Sequence, residues 1–174
     1  EHILIETSGL ALPKPLVQAF QWPAIRSRVT VDGVVAVVDG PAVAAGVFAD
    51  DPEALAAQRA ADQSVDHDNP LEEVFEDQLL CADLVVLNKA DLIDAPTRAR
   101  VRAEVEGHLP RAVKVVETEN GVIDPRVLLG LAAAAEDDLD SRPSHHGEGE
   151  DHDHDDFETV ALPVRPAITA GDLA

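Results

Sequence analysis

The stretch Leu84-Val85-Val86-Leu87-Asn88-Lys89-Ala90-Asp91 decides how this chain is read. Four consecutive apolar residues bounded by polar ones suit a strand buried on both faces, the kind that parallel sheets use. An N-K-x-D loop then leaves that strand at its C-terminal end, where open α/β sheets bind their ligands. A carboxylate at Asp91 can accept from both N1–H and N2–H of guanine, a donor pair that adenine lacks. Asn88 is suited to brace the loop and touch the base edge. The Lys89 stem can lie along the ring face while its ammonium stays in water. As a bare tetrapeptide the string is equally at home in a surface turn, so its neighbours give it weight.

Working outward, three more apolar runs read as strands: residues 2–5, 34–38 and 113–116. Between them, apolar residues recur at three- and four-residue spacing over 70–82, 97–109 and 125–135, which predicts helices. Alternating strands and helices give an α/β fold, a parallel sheet flanked by helices on both faces. Cys81, in Gln78-Leu79-Leu80-Cys81-Ala82, reads as a buried helix end. Trp22, between Gln21 and Pro23, reads as a packing anchor.

Composition narrows the function classes. A formal charge of −21 argues against nucleic acid and anionic membranes as partners, because both would be repelled. One cysteine excludes an internal disulfide and fits a reducing, cytoplasmic location. No apolar run approaches the roughly 18 residues that span a bilayer. The chain has no methionine and opens inside an apolar run, so it reads as an internal piece of a longer protein. Its expected divisions are a partial domain over 1–135, an acidic, histidine-rich and disordered linker over 136–156, and the first strand of a second, small α/β domain over 157–174.

Three further motifs carry chemistry. Glu6-Thr7-Ser8-Gly9 follows the run 2–5 as the acid-bearing loop of a nucleotide hydrolase would, with Glu6 orienting water near Mg²⁺ and the Gly9 N–H approaching a γ-phosphate. These two are the candidate catalytic residues. Thr118-Glu119-Asn120-Gly121 follows the fourth run, where a last base-contacting loop belongs, and makes Thr118 and Asn120 candidate nucleotide contacts alongside Asn88, Lys89 and Asp91. His145, His146, His152 and His154, interleaved with carboxylates, form a candidate metal tract, since imidazoles suit Co²⁺, Ni²⁺ and Zn²⁺. A flexible tract has no fixed geometry, so it reads equally as a solvating linker or a weak collector of cations.

E-T-S-G-L-A-x-P at residues 6–13, V-V-A-V-V-D at 34–39 and N-K-A-D at 88–91, in this order, resemble the CobW-type family of metal-handling P-loop GTPases. The resemblance implies a P-loop GTPase domain truncated on its N-terminal side, with GTP and Mg²⁺ as ligands. It also implies delivery of a divalent metal: Co²⁺ for cobalamin synthesis, handed to a cobaltochelatase or another metal-accepting protein, or Zn²⁺ or Ni²⁺ in related chaperones. Two of the family's motifs do not occur in these 174 residues, the Gly-rich phosphate loop ending in Gly-Lys-Ser/Thr and the C-x-C-C metal motif. By itself this stretch is therefore expected neither to hydrolyse GTP nor to hold the family's internal metal. A non-enzymatic, histidine-rich metal buffer is the reading from another class.

Overall fold

The computed structural model describes residues 2–48, 54, 57 and 71–145. Its centre is a three-stranded parallel sheet, β1 (Val35–Asp39), β2 (Leu84–Asn88) and β3 (Lys114–Glu117), in that spatial order. The register sets Asp39 beside Asn88 and Leu87 beside Glu117, so all three strands end at one level. These are the runs 34–38, 84–87 and 113–116, each ending one residue further along.

Around the sheet lie α1 (Pro13–Ala19), α2 (Pro23–Arg26), α3 (Gly40–Ala44), α4 (Leu71–Cys81), α5 (Ala95–His108) and α6 (Pro125–Leu128). Asp39, Asp94 and Asp124 are the N-caps of α3, α5 and α6, each accepting from a first-turn amide ahead of a Pro whose fixed φ suits a helix start. Val85 and Leu87 pack with Val38, Val43, Phe75, Leu79, Val101, Val105 and Val115 into the main core. Leu84 and Val86 point the other way along the pleat and are also buried, so β2 is covered on both sides. Each such side chain contributes about 1.5–3 kcal/mol by leaving water. On the same side as Val86, Val37 of β1 is 69% exposed. Cys81 ends α4 fully buried, as its apolar surroundings predict, and that burial pushes its thiol pKa up.

Four expectations are corrected. Residues 2–5 form no strand: Ile3, Leu4 and Ile5 are 75, 93 and 53% exposed, and no described segment pairs with them, without which a strand has no ladder. The helix predicted over 125–135 stops at Leu128. Asp32 captures the amides that would continue it, Oδ2 accepting from Gly130 at 2.6 Å and Leu131 at 3.3 Å and Oδ1 from Ala132 at 2.9 Å. Gly130, Ala132 and Ala134 turn to positive φ to present them. Trp22 is no packing anchor, being 60% exposed at the start of α2.

The fourth correction concerns the linker, because the packed chain continues past Glu136 to His145. Glu136 is buried at 2% exposure, with Thr30 Oγ1 donating to its Oε1 at 2.6 Å and the Val31 amide to Oε2 at 3.0 Å. Arg142, 1% exposed, donates to Asp83 Oδ1 at 2.7 Å and to the Cys81 carbonyl. Asp77 binds the Ser144 hydroxyl at 2.7 Å and the His145 amide at 2.8 Å. The rest of the tract and residues 157–174 lie outside the described residues, as does His67.

These long-range carboxylates predict an acid weakness. The Ala132 amide chiefly, helped by those of Gly130 and Leu131, holds Asp32 below its ordinary 3.8 against the opposing effect of burial. Burial pushes Glu136 up, but the bonds from Thr30, its own amide and Val31, with the charge of Arg26, together outweigh it and leave the carboxyl below its ordinary 4.5. A depressed folded pKa stabilises the fold fully above the ordinary value, and that contribution is lost as pH falls through the depressed one. The denaturant midpoint of the intact protein is therefore expected to hold at neutral pH and fall below about pH 4. The double variant Asp32→Asn, Glu136→Gln starts lower and loses less between pH 5 and pH 3. Equal acid losses in parent and variant would show that these two groups do not carry the effect.

Candidate functional site

The site is built where β1, β2 and β3 end side by side. After β2 the chain must reverse quickly, and Lys89 does so by adopting φ 57°, ψ 32° ahead of a 3₁₀ turn over Ala90–Leu92. A non-glycine residue in this left-handed conformation is uncommon and needs its surroundings to hold it. Asn88 Oδ1 accepts from the Thr118 hydroxyl at 3.0 Å and from the Gly121 amide at 2.9 Å, which ties the loop to the one after β3. The backbone of Thr118 completes the tie, its N–H donating to the Leu87 carbonyl at 2.9 Å and its carbonyl accepting from Ala90 at 3.1 Å. Asn120 and Gly121, at φ 51° and 67°, turn the second loop so that the Gly121 amide reaches Asn88.

On the other side, Lys89 Nζ lies 2.6 Å from Asp39 Oδ2, an ion pair joining the ends of β1 and β2. Gly40 lets the strands and α3 come this close, since a Cβ there would lie 3.1 Å from the Asn88 carbonyl oxygen. Arg98 of α5 supports the loop from below, its guanidinium 3.4 Å from both the Ala90 carbonyl oxygen and a Glu117 carboxylate oxygen. Within this frame Asp91 stands exposed in the 3₁₀ turn. Among the described residues its carboxylate has no hydrogen-bond partner, so both oxygens are available to a ligand.

The structure thus gathers Asn88, Lys89, Asp91, Thr118 and Asn120 at one sheet end. Thr118 differs from the rest: it is 5% exposed, and its hydroxyl is engaged with Asn88. Glu6 and Gly9 lie on a separate, exposed segment whose Gly9 and Ala11 carbonyls accept from Gln78 of α4 at 2.9 and 3.3 Å. Glu6 is therefore not at a strand tip, because residues 2–5 make no strand. His145 is paired with Glu76, Nε2 to Oε2 at 2.7 Å, and His108 faces the other oxygen of that carboxylate at 3.3 Å. His146, His152 and His154 lie outside the described residues. Among the described residues no three His, Cys, Asp or Glu side chains converge to hold a metal ion.

From the sequence, Asp39 reads only as the polar end of V-V-A-V-V-D at 34–39. The available signal was positional, an acidic residue at the C-terminal end of the strand neighbouring β2.

The family model for the nucleotide-binding domain of CobW/HypB/UreG proteins matches residues 1–117. The chain belongs to this family. Among CobW/HypB/UreG relatives it is 63% identical over 146 residues to a protein of Pseudomonas aeruginosa named zinc chaperone CobW, covering 84% of this chain and 39% of the relative. It is 55% identical over 166 residues to a zinc chaperone CobW from a Sinorhizobium species, covering 93% and 47%. The zinc-regulated GTPase metalloprotein activator 1 of Schizosaccharomyces pombe is 30% identical over 129 residues, covering 71% and 25%. The chain spans less than half the length of these curated relatives. No solved structure matches it. No helix among the described residues is long and apolar enough to cross a membrane.

Proposed function

We propose that this chain is the guanine-reading part of a GTP-hydrolysing metallochaperone whose cargo is Zn²⁺. The observation that carries the nucleotide reading is the braced loop after β2, in which Asn88 is fixed by Thr118 and Gly121, Lys89 by Asp39, and the Asp91 carboxylate is left exposed. Such a frame suits recognition of a base edge, because donors and acceptors held in advance lose little entropy on binding. Asp91 selects guanine, Asn88 and Lys89 shape its pocket, Asn120 forms the neighbouring wall, and Thr118 acts through Asn88, which it braces. Glu6 and Gly9 belong to the phosphate side, where they respond to the γ-phosphate in the intact protein. Hydrolysis is supported by the family and by the fission yeast relative, which is named a GTPase.

The family resemblance implied Co²⁺ as the cargo, with Zn²⁺ or Ni²⁺ as alternatives. Two bacterial relatives named zinc chaperones move the proposal to Zn²⁺, with Co²⁺ as its competitor. His145, His146, His152 and His154 collect the ion weakly, as a flexible imidazole and carboxylate tract would. A cytoplasmic metal-requiring enzyme is the acceptor.

Displacement of a fluorescent GDP analogue from the intact protein tests the nucleotide reading. GDP is expected to displace it at concentrations at least about 100-fold lower than ADP, the discrimination expected of a site built to pair two ligand N–H groups. Equal displacement by ADP overturns the guanine assignment. Offering Zn²⁺ and Co²⁺ together at equal concentration tests the cargo, and preferential retention of Co²⁺ returns the reading to cobalt.

A further inference from the structure

We infer that Asp39 is a positioning residue for nucleotide binding, holding the Lys89 ammonium so that the Lys89 stem lies against the face of the guanine ring. This inference rests on the guanine reading of the 88–91 loop and goes beyond it, because Asp39 lies 49 residues upstream of Asn88 on a different strand.

The Asp39 carboxylate is held on two sides. Its Oδ1 accepts from the Ala42 amide at 2.9 Å, capping α3, which fixes the carboxylate plane. Its Oδ2 is then 2.6 Å from Lys89 Nζ. Parallel register puts Asp39 directly beside Asn88, one strand spacing away, so the charge sits next to the residue where the chain turns. Lys89 is itself restrained at its backbone, in the left-handed conformation at φ 57°. A lysine side chain ordinarily has much rotamer freedom to lose on binding. Here both ends of the stem, the Cα and the Nζ, are held before any ligand arrives. The pair is partly exposed, at 33% for Lys89 and 21% for Asp39, so the Lys89 side chain keeps some surface within reach of a flat ring.

Losing the anchor should affect every purine nucleotide alike, because the ring face is common to all of them. Substituents at the base edge are read by Asp91, and their discrimination should stay as it was. The variant that isolates this is Asp39→Asn, since Asn caps a helix about as well as Asp but cannot form the ion pair.

Nucleotide affinities of the intact protein, parent, Asp39→Asn and Asp91→Asn, are measured by calorimetry with GTP, inosine triphosphate and xanthosine triphosphate. Asp39→Asn is expected to weaken all three by a common factor of about 2 to 5, the range set by loss of a partly exposed ion pair. The ratios among the three stay at their parental values, and the parental salt dependence of binding is reduced. Parental affinity in Asp39→Asn overturns the positioning role, as does a lowered Tm with unchanged affinity, which would make the pair purely structural. Asp91→Asn separates the two levels. If it shifts the GTP to xanthosine triphosphate ratio while Asp39→Asn does nothing, only the Asp39 role fails. If that ratio does not move, the guanine reading fails and the Asp39 role with it.

Discussion

Asp91→Asn is expected to weaken GTP binding by the intact protein roughly 100- to 10,000-fold while improving binding of xanthosine triphosphate. The magnitude follows from two charge-assisted hydrogen bonds, from guanine N1–H and N2–H, each worth about 1.5–3 kcal/mol. Asn keeps one acceptor and replaces the other with an NH₂ donor. Guanine's N2–H₂ then meets a donor, whereas the C2 carbonyl of xanthine meets a partner, so one substitution both removes and creates a match. The surrounding frame should survive, because the loop is held through Asn88, Lys89 and the Ala90 amide, with Asp91 exposed beyond them. Competition against a labelled guanine nucleotide checks this directly. Unchanged GTP affinity in the variant would remove Asp91 from base recognition.

Asp83→Ala is expected to cost about 3–5 kcal/mol of stability, the range for breaking one side of a buried charge pair. Asp83 precedes β2, and its carboxylate joins four parts of the chain. Oδ2 accepts from the Val34 amide at 2.9 Å and from Arg142 at 3.2 Å, while Oδ1 accepts from Arg142 at 2.7 Å and from Arg111 at 2.9 Å. Removing it leaves the 1%-exposed Arg142 guanidinium with no carboxylate partner among the described residues. In the parent, burial lowers the Arg142 pKa and Asp83 raises it past the ordinary value; without Asp83 a guanidinium still keeps its proton at neutral pH, so the penalty is not escaped. Arg142→Met should cost less than half as much, because an apolar chain fills the space and Asp83 keeps Arg111 and Val34. Guanidinium unfolding of the intact variants measures both. A larger loss for Arg142→Met than for Asp83→Ala would show that packing by the arginine stem, not charge compensation, dominates.

This network also explains where the sequence misled. Residues 136–145 are acidic and polar, a composition that ordinarily means solvation, so they read as the start of a disordered linker. Their partners are distant in sequence: Thr30 and Val31 for Glu136, and Asp83 for Arg142. The helix predicted over 125–135 failed for the same reason. Its apolar spacing is helical, but the amides of Gly130, Leu131 and Ala132 are taken by Asp32, about 100 residues earlier. The run 2–5 was apolar enough for a strand and had no partner among the described residues.

The parts that were legible are those governed by local chemistry. Branched apolar runs between polar bounds marked β1, β2 and β3 to within a residue, and three- and four-residue apolar spacing marked α4 and α5. N-K-A-D after β2 marked the candidate base loop. These follow from side-chain size, pleat and periodicity, which neighbouring residues express without help. What only the tertiary structure decided is which charges meet: Lys89 with Asp39 across adjacent strand ends, Asn88 with the loop after β3, and Arg142 with Asp83 in the interior. A charge carries no mark of its partner in the sequence, and only the parallel register and the close packing of the chain bring those partners within reach.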